Sequence, residues 1–424
     1  MLNACANASG MMPVMQPART RTATGVPAPC SRSTAATVRA MFTAMVISCI
    51  VPASILAAPS FLEDFELPLI AQSGPGDIVW RNPAALARTG GIRGWVRLTL
   101  PHDSHDAAFQ TAGAATPLGF GLPLFCSSEI PEVARATGVD SELAAALVAA
   151  ESGFNPRAVS VTGARGLTQL TSRTARSLGV YNRHWPRWNL WGGLTYLAEM
   201  RRLFGDDELA LAAYNVGPGM VKRKGRAVLN EPAVASYVAT ITRLRKAYGT
   251  KYPSTCAHGG NGLAVAYADS GGTSAGALGW GMDVQAFFEL GAGVVVWQEG
   301  DSAVADPIVG TRIYVLDPLL LAGTYRWHDA TWEVGALLAL QGERVLVGAE
   351  RDCQGNFIGA LKLGLPLGLW VEAKAKRHTV SLAATLETRK LAIGFTHLAS
   401  VSSQDGAETV RQSAFLSLGR RPAL

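Results

Sequence analysis

Glu151 is the residue of this chain best placed for acid–base chemistry. It ends an alanine- and leucine-rich run, residues 141–150 (SELAAALVAA), and falls at i+8 from Leu143 and i+4 from Leu147. On a helix those three share one face, so the carboxyl extends an apolar stripe instead of a solvated one. Partial burial penalises the charged form, raises the pKa and lets a carboxyl hold its proton near neutrality. Between Glu151 and Glu199 there is no Asp or Glu, whereas Arg157, Arg165, Arg173, Arg176, Arg183 and Arg187 all occur there. Such a site offers no obvious second carboxylate to act as nucleophile or base, although Asp206 or Glu231 could fold back towards it. A lone carboxyl can still work twice, since giving up its proton leaves it as the base for the return step.

The elements that would position Glu151 are helical. Asp140 is a cap residue for the run 141–152, and Gly153 supplies its stop. Thr171 or Ser172 can cap a short helix ended by Gly179. Residues 189–204 repeat leucines at Leu190, Leu194 and Leu197 before Gly205. Asp206 or Asp207 caps the next helix, which Gly217 ends. Pro232 opens the last, where Tyr237, Ile241 and Leu244 share a face. Short joints between amphipathic helices make a compact, mainly helical domain.

Three motifs follow one another here: Glu151–Ser152–Gly153, then residues 163–169 (GARGLTQ), then residues 213–219 (AYNVGPG). Their order and spacing resemble the soluble lytic transglycosylase family of peptidoglycan-cleaving enzymes, whose catalytic domain has the goose-lysozyme-like fold. The resemblance spans roughly residues 126–249. It implies cleavage of the β-1,4 bond between N-acetylmuramic acid and N-acetylglucosamine, with the muramic sugar's own hydroxyl attacking to leave a 1,6-anhydro end. By that resemblance Glu151 is acid and then base, and Gln169 hydrogen-bonds the substrate near an N-acetyl group. Ser152 orients the acid or the glycan, and Tyr214 and Asn215 line the cleft. Tyr237 stands where the family has a tyrosine late in the domain. Thr168 replaces a usual Met and Val216 a usual Ala. No metal or cofactor is implied. Two other functions fit the same residues: a non-catalytic glycan-binding envelope or outer-membrane protein, and a lysozyme-type hydrolase.

Composition bounds the rest. With 424 residues, 48% apolar and 17% charged, the chain has two or three domains with substantial cores. A net charge of +6 suits an acidic polymer or a membrane surface. Nucleic-acid binding would need a clustered basic stripe with aromatics, and none stands out. The arginines after Glu151 are either an ordinary solvated face or a cleft lining that favours the peptide-stem carboxylates of peptidoglycan. No acid precedes Glu63, four arginines fall in residues 19–39, and residues 40–58 form an uncharged apolar run ending in small residues. That reads as a secretory leader over residues 1–58, with an uncleaved anchor or a lipoprotein box at Val46–Cys49 as rivals. Export to the periplasm or outer membrane is expected. Cys126 and Cys256 bracket the helical region and are either bridged or two buried thiols, with Cys353 left over.

The β-rich part begins late. Strand-like alternation marks residues 92–100, inside a largely irregular segment 59–125 in which Asn82–Pro83–Ala84 is similar to the lead-in of several outer-membrane β-barrels. After the helical domain (126–252), residues 253–280 read as a Gly/Ser/Ala-rich linker and 281–424 as a β-rich domain of eight to ten strands. One face of each is apolar and the other small, polar or charged. That pattern fits a closed barrel in lipid with the apolar face outward, or a soluble sandwich or barrel with it inward. The expected fold is thus α+β and multidomain: a lysozyme-like helical domain plus a C-terminal all-β domain, possibly associated with the outer membrane.

Overall fold

A computed structural model describes residues 78–89, 91–100, 109–270, 274–299, 302–340, 344–376, 379–388, 390–401 and 408–419. The expected leader 1–58, with Cys5, Cys30 and Cys49, lies outside the described residues. In chain order come helix α1 (Ile78–Arg81), a 3-10 turn (Pro83–Arg88), and strands β1 (Arg93–Leu100), β2 (Phe109–Pro117) and β3 (Pro123–Cys126). The helical domain follows: α2 (Ile130–Thr137), α3 (Ser141–Ser152), α4 (Ser172–Ser177), α5 (Pro186–Phe204), α6 (Asp207–Val216), α7 (Pro218–Lys224) and α8 (Pro232–Thr250). Strand β4 (Cys256–His258) closes it against β3. The remaining strands are β5 (Asn261–Ser270), β6 (Ser274–Gln285), β7 (Phe288–Glu299), β8 (Ser302–Leu316), β9 (Leu319–Arg326), β10 (Thr331–Leu340), β11 (Val345–Asp352), β12 (Phe357–Gly364), β13 (Leu369–Lys376), β14 (Thr379–Glu387), β15 (Leu391–Val401) and β16 (Glu408–Gly419).

Among the described residues, fourteen of these strands close into one antiparallel barrel, in the order β1-β16 and down to β5, then β2. Strands β1 and β2 precede the helical domain, which is therefore inserted into the barrel between β2 and β5. Two expectations change. The segment expected as a linker, 253–280, contains β5 and most of β6, and the irregular stretch 102–125 contains β2. Their strand pattern is muted because most of their inward positions carry small residues, among them Gly113, Ala115, Ala264, Ala266, Ala275 and Ala277.

What those small residues face is the segment from Ile78 to Arg88, which lies inside the barrel. Gly262, Gly281, Gly291 and Gly310 stand side by side across β5, β6, β7 and β8. A Cβ on them would lie 2.4, 2.2, 2.2 and 2.1 Å from Leu86 O, Pro83 O, Ala84 N and Asn82 Oδ1. The glycines form a trough that only bare backbone allows. Asn82 caps the turn through Ala84 N at 3.1 Å and donates to Thr311 O at 3.3 Å. Val79, Trp80 and Leu86 are buried, each worth about 1.5–3 kcal/mol or more. Arg81 bridges Glu333 (2.7 Å) and Glu350 (3.0 Å) on the neighbouring strands β10 and β11, and Arg88 pairs with Glu289.

The alternation left open by sequence is resolved outward. Val265, Leu278, Val380, Leu382, Ile393 and Leu416 point away from the barrel and are exposed, while Asp283, Glu289, Asp306, Arg312 and Glu350 are buried within it. No helix among the described residues is long and apolar enough to cross a membrane, which says nothing of strands.

The helical domain has its own core, with Leu143, Leu147, Leu167, Leu190, Leu194, Leu197 and Ile241 at its centre. Its ends are tied together: β3 pairs with β4, and Cys126 is disulfide-bonded to Cys256. Ser127 N donates to Thr255 O at 2.8 Å beside that bridge.

Candidate active site

Helix α3 delivers Glu151 to the edge of this core. Asp140 occupies the N-cap position without a side-chain cap bond; its carboxylate pairs instead with Arg245 at 2.8 Å. Gly153 ends the helix with φ 59°, a left-handed geometry that costs glycine little. Six consecutive residues, Leu143 to Val148, are buried beneath it, so the last turn brings Glu151 to the boundary between core and solvent. Thr171 and Asp206 take the other cap positions, accepting from Thr174 N at 3.2 Å and Leu209 N at 2.8 Å.

Helix α8 places Tyr237 against the acid: its hydroxyl donates to Glu151 Oε1. Burial raises the Glu151 pKa, and the Tyr237 hydrogen bond offsets part of that rise; among the described residues no second carboxylate contributes. Burial and the nearby Glu151 keep both Tyr237 and Tyr214 well above the usual tyrosine value, so both remain hydroxyl donors at neutral pH. The arrangement can hold one proton on a half-buried carboxyl and hand it to an oxygen in the adjoining space.

The loop from Phe154 to Leu170 forms the next wall. Gln169 has φ 49° and its side-chain amide donates to Ala158 O (3.0 Å) and Gly166 O (2.9 Å), which fixes the side chain across its own loop. Gly166, at φ 79°, is required twice over, because a Cβ there would meet Asn189 Nδ2 at 2.2 Å. Asn189 is the residue that sequence reasoning missed. Fully buried on α5, it accepts from Thr168 N at 2.9 Å and donates to Arg165 O at 2.7 Å. A polar residue next to Leu190 on the buried stripe of α5 was the signal for it. Tyr214 Oη donates to Thr168 O at 2.8 Å, so the residue standing in place of the usual Met is a junction between α5, α6 and the loop.

The structure brings Glu151 and Tyr237 into contact and ties Tyr214 to the Gln169 loop. It does not join Ser152 to the acid: that hydroxyl donates back to Val148 O at 3.0 Å. Asn215 is exposed at the end of α6. Trp188 is partly exposed and packs edge-on against Trp185 and Trp191.

Of the arginines after Glu151, Arg173 and Arg176 are exposed, as on a solvated face, while the others are held by acids. Arg157 pairs with Asp283 of β6, and Arg183 pairs with Asp317 in the turn between β8 and β9. Arg165 lies 3.9 Å from Asp317 and 3.0 Å from His184 Nε2. Burial lowers the pKa of His184, against the pull of Asp317, and its ring stacks on Tyr314 at 4.6 Å. Arg187 pairs with Glu132 inside the helical domain.

Residues 129–235 match the Transglycosylase SLT domain family. A membrane-bound lytic murein transglycosylase F of Pseudoalteromonas translucida is 47% identical over 90 residues, covering 20% of this chain and 19% of that protein. A transglycosylase of Enterobacteria phage PRD1 is 46% identical over 79 residues, 19% of this chain and 30% of its own length. Among solved structures, the lytic transglycosylase Slt of Pseudomonas aeruginosa, an inactive mutant, matches with 26% identity and a TM-score of 0.27 over 29% of this chain and 24% of that one. The chain thus spans under a third of the length of these relatives, and the family match falls within the inserted helical domain.

Proposed function

We propose that this chain is a peptidoglycan lytic transglycosylase held in the outer membrane by its barrel. The observation that carries the enzymatic reading is a single half-buried carboxyl, Glu151, hydrogen-bonded by Tyr237 within a segment that matches the transglycosylase domain. Protonated Glu151 gives its proton to the glycosidic oxygen as the bond from the muramic C1 breaks. The muramic C6 hydroxyl attacks C1, and the Glu151 carboxylate takes that hydroxyl's proton. The products are a free N-acetylglucosamine hydroxyl and a 1,6-anhydromuramic end, with no water consumed. Gln169, Tyr214 and Asn215 hold the glycan, Ser152 supports the turn beside the acid, and Tyr237 steadies the carboxylate formed midway. The reaction so written invokes no cofactor.

Replacing Glu151 with Gln should abolish release of anhydro-muropeptides, a loss of about 100-fold to 10,000-fold for a general acid. Unchanged release would reject Glu151 as the acid, and absence of release by the parent protein would favour a non-catalytic glycan-binding role. Products heavier by one water would make the enzyme a lysozyme-type hydrolase.

The membrane reading rests on the closed barrel with its apolar side chains outward and its charges inward, and on strands of 8 to 15 residues. About 9–11 tilted residues are enough to cross a bilayer. The helical domain leaves from the ends of β2 and β5, so that rim faces the periplasm if the substrate is the cell wall. Fractionation with the outer membrane and heat-modifiable gel mobility test this. A fully periplasmic, heat-insensitive protein would reject it.

A further inference from the structure

The loop that carries Gln169 is fastened to the barrel as much as to its own domain. Arg183 is the rivet. Its Nη1 donates to Gly163 O and Leu170 O, both at 2.9 Å, while its Nε pairs with Asp317 on the barrel rim. Asp317 N in turn donates to Tyr181 O at 2.9 Å. At the other end of the loop, both terminal nitrogens of Arg157 engage Asp283, whose Oδ2 also accepts from Gly260 N at 2.6 Å. Asp283 is fully buried and Arg183 nearly so. Phe154 and Gln169, near the two ends of the loop, are non-glycine residues at φ 66° and 49°. Residues in such sparsely populated backbone regions persist only where surrounding contacts over-determine them. Those contacts include the barrel's acids.

We propose that Asp317 and Asp283 are positioning residues for the Gln169 loop, so that the cleft's hold on glycan depends on the barrel rim. The inference rests on the transglycosylase reading. Removing Asp317 leaves the buried Arg183 guanidinium without its counter-charge, and the cheapest relief is for that arginine, with the loop carbonyls it grips, to move towards water; removing Asp283 leaves Arg157 only the more distant Glu289, at 3.9 Å. Glu151 and Tyr237 lie on α3 and α8, outside this loop, so proton transfer is left largely intact.

The test uses the full chain in detergent, its barrel verified by heat-modifiable mobility, with uncross-linked murein glycan strands as substrate. For Asp317→Asn the KM should rise by about tenfold to a hundredfold, the scale of a misplaced positioning group, with kcat changed by less than about threefold. Asp317→Glu, which keeps the charge, should recover most of the loss. A folded Asp317→Asn protein with unchanged KM overturns the proposal, as does a loss confined to kcat. If Asp317→Asn does not fold, Arg183→Lys serves, because a single ammonium cannot span both the loop carbonyls and the rim; unchanged KM again overturns the proposal. Activity surviving in Glu151→Gln would instead sink the transglycosylase reading, leaving the KM comparison to judge the loop alone.

Discussion

Tyr237 and Glu151, 86 positions apart in sequence, meet through one hydrogen bond in which the phenol is the donor. A donor stabilises the carboxylate more than the carboxylic acid, so this contact pulls the acid's pKa down while burial pushes it up. Burial is the larger effect.

Removing that phenol has a definite sign. In Tyr237→Phe the downward pull is lost, the Glu151 pKa climbs, and the protonated form persists to higher pH. The alkaline limb of kcat/KM for murein should therefore move to higher pH, even as kcat falls because the midway carboxylate loses its support. A limb that moves to lower pH would contradict the assigned hydrogen bond.

The glycine trough makes a second prediction. Gly291→Val puts a branched side chain where Ala84 N already stands, at 2.2 Å from the added Cβ. Backbone cannot step aside cheaply, so the segment 78–88 should be displaced at a cost of at least about 1–3 kcal/mol. Limited proteolysis near Arg81 and Arg88, silent in the parent, should become visible.

A third prediction separates lipid from water around the barrel. Leu382 lies on the outward face of β14, 54% exposed. Leu382→Arg should cost about 2–4 kcal/mol if that face contacts the bilayer centre, lowering the yield of folded barrel in liposome refolding. In a water-soluble barrel the same change would be close to neutral.

The Cys126–Cys256 bridge gives the fourth. It closes a separation of 130 residues around the helical domain. Its removal in Cys126→Ser with Cys256→Ser should destabilise that domain by about 2–5 kcal/mol. Far-ultraviolet helix melting should shift down while the barrel's heat-modifiable band is retained.

Much of the helical domain was legible in sequence because its boundaries are written in single residues. Gly153, Gly205 and Gly217 end helices α3, α5 and α6, and Thr171 and Asp206 begin α4 and α6. Glu151 could be picked out because its place on an apolar stripe is a local property. The barrel was legible only in part. Period-two alternation marks a strand but does not say which side is wet, and the strands packed against the Ile78–Arg88 segment carry glycine and alanine where the signal should be. The arginines misled for a different reason. The partners of Arg157 and Arg183, Asp283 and Asp317, lie more than a hundred residues away, in strand ends and turns that no local pattern connects to the Gln169 loop.

The insertion of the helical domain between β2 and β5 has a consequence for how it can be shed. Both of its ends lead into neighbouring strands of a closed ring, and a disulfide locks those ends to each other. A protease that severs one connection leaves the domain hanging by the other. On the proposed activity, a domain that cuts the cell wall would thereby be kept from drifting loose, since two separate scissions on the same molecule are needed to set it free.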